Sequence, residues 1–230
     1  MDGGKLSRSW FAGTWNVKSE TIDVQAPCGM ALFGGNVTFA NAKKEIGTSL
    51  AYSTRFIPNS SAGDNRVVAD REYNVKSIAK VSMGENSVVD VAMATPNKFS
   101  CLLAPKGAPS MLTVDLIVLG RRQENLAENE FHCSEVVREI VSPVTDKTKD
   151  RNDNSPQLLQ QQGRKVILKE IETISLYTYD PIKDEVRCQQ RSATFLLPSN
   201  ESPMAMRMWQ ASGGKAIDVR FYDVRYSRRS

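Results

Sequence analysis

The stretch Trp10-Phe11-Ala12-Gly13-Thr14-Trp15-Asn16-Val17 decides how this chain reads. A Gly-x-Trp triplet opens an alternating segment in which Trp15 and Val17 interleave with Thr14, Asn16 and Lys18. That period of two is the pattern of a strand with one buried face. The phase then changes, because Ile22 and Val24 fall on the other parity, which predicts a bulge or bend. The far end of the chain, residues 216–226, is again extended and rich in Arg and Tyr.

Working inward, Leu50, Tyr52, Thr54 and Phe56 alternate, and 66–69 and 87–93 are Val-rich runs of strand length. Residues 99–103 form another, closed by the turn cluster Ala104-Pro105-Lys106-Gly107-Ala108-Pro109. Leu112, Val114, Leu116 and Val118 alternate toward Arg121 and Arg122. Residues 73–81 have helical spacing and read as a short helix or as a strand with a turn, and 131–141 fit either state. In 165–179 the Ile, Thr and Tyr content favours strand, and Asp180-Pro181 turns the chain into 186–197. Residues 199–214 read as a long loop. About ten short strands in one domain over 1–230 predict a sandwich or an up-and-down antiparallel barrel. The Pro-, Asp-, Asn- and Gln-rich insertion at 142–163 reads as a mobile polar loop, since the strand pattern resumes beyond it.

The charge is modest: 30 basic against 26 acidic residues, net +4, interspersed along 230 residues. Without a concentrated basic stripe, nucleic acid is not an expected partner. There is no apolar run of membrane-spanning length, so no transmembrane segment is expected. The first nine residues lack the apolar centre of an export signal. This leaves either a chain whose targeting segment has been removed or a cytosolic protein. The cysteines Cys28, Cys101, Cys133 and Cys188 are widely spaced without a CxxC, so buried free thiols are expected and a zinc site is not. His132 is the only histidine, which excludes mechanisms that need two. Adjacent strand residues point to opposite faces, so His132 cannot activate Cys133. The histidine reads as a surface or hydrogen-bonded side chain, with haem ligation as the alternative. No phosphate-binding glycine loop is present. Nothing here favours an enzyme.

Arginines offer the best candidate site. Arg187, Gln189 and Arg191 share strand parity with Phe195. If that face points inward, it lines a cavity with a wet end and an apolar end, suited to an amphiphile bearing a carboxylate. If it points outward, the arginines are solvated. Arg121, at a strand end, and Arg138, in the next segment, complete the candidate ligand-binding set. Met204, Met206, Met208 and Trp209 form an apolar cluster in a polar stretch, read as a lid over a barrel mouth or as a packed loop.

An early Gly-x-Trp strand with a late Arg-bearing strand resembles the lipocalins and the wider calycin barrels. The resemblance implies a single lipocalin-like barrel in which Gly13 and Trp15 plug the closed end and Arg220 or Arg225 lies across the indole. The chain also resembles a family of uncharacterised cyanobacterial and plastid proteins. The matching segments include Trp10 to Trp15, Val67-Val68-Ala69-Asp70-Arg71, Gly120-Arg121-Arg122, Ser134-Glu135-Val136 and Gln190 to Phe195. This resemblance implies a plastid location, with the thylakoid lumen as the compartment. The expected function is non-enzymatic binding of a hydrophobic or amphiphilic ligand, a pigment such as a carotenoid, a tetrapyrrole or a lipid. The alternatives are an accessory protein docking on a photosynthetic membrane complex and a chaperone resembling the chromophore lyases.

Overall fold

The computed structural model describes residues 5–6, 9–58, 67–104, 107, 110–144, 167–198 and 202–229. Alternation becomes a sheet. The strands are β1 (Lys5–Leu6), β2 (Gly13–Gln25), β3 (Ser49–Pro58), β4 (Val67–Ala69), β5 (Val88–Thr95), β6 (Lys98–Leu103), β7 (Leu112–Ala127), β8 (Glu130–Pro143), β9 (Ile167–Asp180), β10 (Glu185–Leu196) and β11 (Asp218–Arg228). They form one eleven-stranded sheet in the order β1-β4-β3-β2-β11-β10-β9-β8-β7-β6-β5, and every pair is antiparallel. The sheet curls into a half-barrel. From β5 to β11 each strand pairs with its sequence neighbour. The seam then closes through β11 on β2, which joins the two ends of the chain.

The other seam differs from the closed barrel expected from the sequence. Among the described residues β4 and β5 do not pair, and β1 and β5 are free edges. Helix α3 (Arg71–Met83) connects β4 to β5, packing on β3 and reaching β5. Its sequence fits the role. Asp70 caps it, its side chain accepting a hydrogen bond from the Tyr73 N–H at 3.1 Å. On its buried side Val75 and Met83 pack against Phe99, Cys101 and Leu103 of β6. The segment 73–81, left open between helix and strand, is therefore helical, and 131–141 and most of 165–179 lie in strands β8 and β9.

The shift of phase in β2 is a bulge. Thr21 pairs with Tyr222 and Asp23 with Phe221, so Ile22 is the extra residue. Ile22 points outward, 48% exposed, while Val24 is buried. Three helices lie where no regular structure was expected. Helices α1 (Met30–Phe33) and α2 (Asn36–Lys44) are entered from Gly29 and Gly35, both at positive φ, and pack Phe33 and Ala42 against Val24. Helix α4 (Pro203–Ser212) replaces most of the loop expected at 199–214. Its signals are local: Ser202 accepts from the Ala205 N–H, Pro203 starts the first turn, and Gly213 ends the helix in the left-handed conformation. From residue 145 to its end, the insertion expected at 142–163 lies outside the described residues.

The main core plugs one end of the concave face. Phe11, Trp15, Val17, Phe56, Val67, Phe131, Val186, Cys188, Val224 and Tyr226 are buried together. Phe11 is its hub, with ring centroids 4.2 Å from Phe56, 5.5 Å from Tyr177 and Tyr226, and 5.6 Å from Trp15. Such packed aromatics contribute beyond their buried area.

Candidate functional site

The plugged end is held by an arginine, and the register of β11 decides which one. Trp15 pairs with Arg228 across the β2–β11 ladder. The Arg228 guanidinium lies over the indole, 4.0 Å from the ring centroid. It donates to the Trp10 carbonyl at 3.0 Å, to the Ala12 carbonyl, and to both carboxylate oxygens of Asp184 at 2.9 and 3.1 Å. One side chain thereby ties the N-terminal segment to the turn between β9 and β10. Gly13 is shaped by the same contact. Its φ is +114°, and a Cβ there would meet Arg228 Nη1 at 3.0 Å, so any other residue would be both strained and crowded. The indole N–H donates to the Phe11 carbonyl at 2.9 Å. Arg228 holds the Asp184 carboxyl below its ordinary range by hydrogen bonding to the ionised form.

Arg220 and Arg225, the expected partners of Trp15, sit elsewhere. Arg220 bonds Asp218 at 3.0 Å and Glu45 at 2.7 Å. Arg225 is exposed beside Asp223. The reason is geometric: Arg225 has the wrong parity, and Arg220 has the right parity but lies opposite Val24, far along the strand from Trp15.

Beyond the plug, the concave face opens into a cavity of about 750 Å³. Its wall is built by inward-facing residues of neighbouring strands. Cys133 and Glu135 of β8 lie directly opposite Gln123 and Arg121 of β7, and opposite Ser175 and Thr173 of β9. Gln190 of β10 lies opposite Ser175. The apolar rim includes Phe56, Ile57, Val68, Ala69 and Met93. Residues 93–96, the tip of the β5–β6 hairpin, form the wall facing the open seam. A chamber of this size with an apolar rim and a few convergent polar groups has the proportions of a small-molecule site.

The charged centre of the cavity is a triad. The Glu135 carboxylate accepts from Arg121, and its same oxygen accepts from Arg71 Nη2 at 3.2 Å. Arg71, the first residue of α3, also lies over the Phe99 ring at 5.6 Å. All three side chains are largely buried: Arg121 is 11% exposed, Arg71 17% and Glu135 23%. Burial pushes the Cys133 thiol up and the Tyr177 phenol well up, so both are neutral at neutral pH. The one histidine of the chain, His132, lines the hollow on the other face.

The other sequence candidates divide between faces. Arg121 lines the cavity. Arg187, Gln189, Arg191 and Phe195 are on the convex face, on the opposite parity from the buried Val186 and Cys188. There Arg187, Gln189 and Arg191 line a second hollow, of about 710 Å³, with Ile22, His132, Ile174 and Phe221. Arg191 bonds Glu172 at 3.0 Å, and Phe195 packs with Ala193, Val219 and Phe221. The inward alternative for this set is thus corrected: the inner parity of β10 carries Gln190 rather than the arginines. Arg138 pairs with Glu170 on the convex side at 2.6 Å. His132 and Cys133 line different hollows, one on each face. None of Met204, Met206, Met208 and Trp209 lines the cavity, and they form α4 instead of a lid. Sequence reasoning missed Arg71 and Glu135 as site residues. The alternation of Phe131, Cys133 and Glu135 carried the signal for Glu135; Arg71 comes together with it only through the fold.

All four cysteines are free. Among the described residues no group of three or more His, Cys, Asp or Glu side chains is placed to hold a metal, and no helix is long and apolar enough to cross a membrane. No curated protein and no solved structure matches the chain. Residues 9–225, which hold the cavity and most of the plug, match the domain of unknown function DUF6816. With nearly its whole length matched, the chain belongs to the DUF6816 family.

Proposed function

We propose that this protein is a non-enzymatic, calycin-like carrier whose concave cavity takes a hydrophobic or amphiphilic molecule, a pigment, tetrapyrrole or lipid, within a photosynthetic cell or its plastid. One observation carries the reading: a chamber of about 750 Å³ on the inner face of a half-barrel, apolar at its rim and polar at its centre. Its volume is in the range that encloses most of a drug-sized ligand. The resemblance of the chain to cyanobacterial and plastid proteins supports the setting. Several of the resembling segments supply the wall: Val68 to Arg71, Arg121, Glu135 and Gln190 all line the cavity.

The test is direct. Protein purified without detergent is extracted with organic solvent for mass spectrometry, then titrated by equilibrium dialysis with a tetrapyrrole, a carotenoid acid and a fatty acid. Saturable binding is expected for at least one. Ala94→Trp, which places a large ring in the cavity wall at an exposed position, should abolish it while leaving the fold intact. An empty extract together with no saturable binding by the folded protein overturns the carrier and favours a protein that docks on a photosynthetic complex.

A further inference from the structure

We infer that Arg71 and Arg121 form an anion clamp at the centre of the cavity and that the ligand is an amphiphile carrying a single carboxylate. This rests on the carrier reading and specifies which carrier it is.

The inference comes from charge accounting over the cavity wall. Five ionised side chains line it: Arg71 and Arg121 against Asp70, Glu72 and Glu135. Two of the carboxylates are occupied from outside the cavity. Asp70 is bound by Arg55, Nη2 to Oδ2 at 2.6 Å and Nε at 2.8 Å, and also caps α3. Glu72 is bound by Lys76, one helical turn on, at 2.6 Å. What remains inside is two guanidinium groups and one carboxylate, Glu135, a surplus of one positive charge. The neighbouring groups cannot cancel it, because Cys133, Gln123, Thr173, Ser175, Tyr177 and Gln190 are neutral.

The surplus is also under-satisfied in hydrogen bonds. Each guanidinium has five donors in a fixed fork. Both arginines converge on the same oxygen of Glu135, Oε2, so one carboxylate edge is shared between two forks built for one each. Their remaining N–H groups are not buried orphans. Among the described residues the buried side-chain atoms without a partner are Trp10 Nε1 and Thr54 Oγ1, neither of them in the cavity wall. Both arginines line the chamber, which puts these donors within reach of an anion bound there. A second carboxylate placed there completes the set as two guanidinium groups and two carboxylates. It removes the desolvated excess charge, which is costly when left unpaired. The apolar rim at Phe56, Ile57, Val68 and Met93 then lies where the aliphatic or polyene part of such a molecule extends. An ammonium head would add to the surplus instead of cancelling it. Glu135 is the resident counter-ion that holds the two arginines together.

The experiment uses the whole protein and three probes of one chain length: dodecanoate, dodecanol and dodecylamine, each below its micellar concentration. Dodecanoate should bind at least tenfold more tightly than dodecanol, and dodecylamine most weakly. Arg121→Gln and Arg71→Gln should each erase most of the acid-over-alcohol preference while leaving dodecanol binding unchanged. Glu135→Gln, which removes the competing anion, should tighten dodecanoate several-fold. Should Arg121→Gln fail to fold, the triple variant Arg71→Gln, Arg121→Gln and Glu135→Gln removes all three charges at once and should bind acid and alcohol alike. Equal affinity of the wild type for acid and alcohol, with both blocked by Ala94→Trp, overturns the clamp and keeps the carrier. A preference that survives both arginine substitutions, or tightest binding of the amine, also overturns the clamp. Failure of all three probes to bind the folded protein removes the carrier reading and the clamp with it.

Discussion

Follow three adjacent strands along the concave face and the molecule changes character within two residues. On β8 the inward positions run Phe131, Cys133, Glu135; on β9, across from them, Tyr177, Ser175, Thr173; on β10, Cys188 gives way to Gln190. The first member of each series packs in the plug, with Tyr177 also reaching the cavity, and the later ones line the cavity. The backbone ladder is continuous through both regions. The cavity is therefore not a defect of the sheet. It exists because the same inward parity carries large aromatic residues at one end and small or charged ones further along. Architecture and candidate site share strands and differ only in side-chain volume and polarity.

If this contrast is correct, deletions of the same kind have unequal costs at the two ends. Trp15→Ala empties a fully buried position in the plug and should cost about 3–5 kcal/mol in denaturant unfolding, as large aromatic deletions do. Met93→Ala, on the cavity rim and 43% exposed, should shift stability by less than about 0.5 kcal/mol. Comparable losses from the two would merge plug and cavity into one core. Next in size is Arg228→Ala. It removes charged hydrogen bonds to two carbonyls and the cation over the Trp15 indole, and should cost about 2 kcal/mol. Arg225→Ala, three residues before it and exposed, should be close to neutral. A reversed order would return the plug-closing role to Arg225.

Two pH limbs sharpen the comparison further. Burial raises the Tyr177 and Tyr226 phenols well above 10, and Tyr52 to about 12. The folded state favours the neutral phenol, so this stability is present below pH 10 and is lost as pH rises through the raised values. Tyr226→Phe should flatten the alkaline limb of a stability–pH curve; an unchanged limb would place the loss elsewhere. The smallest effect is on the acid side. The Asp184 carboxyl is held below its ordinary 3.8 by Arg228, so its contribution is present above that value and lost as pH falls through the lowered one. Asp184→Asn should reduce the acid sensitivity of unfolding slightly, and Arg228→Ala should reproduce the change. A wild-type acid limb in both variants would show that this pair adds nothing to stability.

Which features the sequence carried follows from the range of the physics involved. Strand β2 and its bulge at Ile22 were legible because period and phase are local properties. So was the inward parity of Phe131, Cys133 and Glu135 once 131–141 is taken as strand. The caps of α4, Ser202, Pro203 and Gly213, were equally local, but the polar setting and paired glycines of the segment favoured a loop. The choice among Arg220, Arg225 and Arg228 was not legible. Parity excludes only Arg225, and the β2–β11 register, set by contacts across the whole chain, selects Arg228. For the same reason Arg187 and Arg191 formed a plausible inward face until β9 and β11 fixed which side of β10 faces the core. Arg71 reaches Glu135 across 64 positions of sequence, and no periodicity encodes that meeting.

The unpaired seam between the β1 and β5 edges gives the molecule a mechanical property that a closed barrel lacks. A closed barrel has a girth set by strand number and shear, and widening it means breaking a ladder. Here α3 bridges the two sides of the sheet behind its edges, with Val75 and Met83 seated on β6 and the helix resting on β3. The seam works as a gasket instead of a weld. A change of volume at Val75 or Met83 is therefore expected to alter the width of the chamber without breaking a strand pair. Within one fold, the size of what the cavity admits is then adjustable at Val75 and Met83, further along the helix whose first residue, Arg71, lines the chamber.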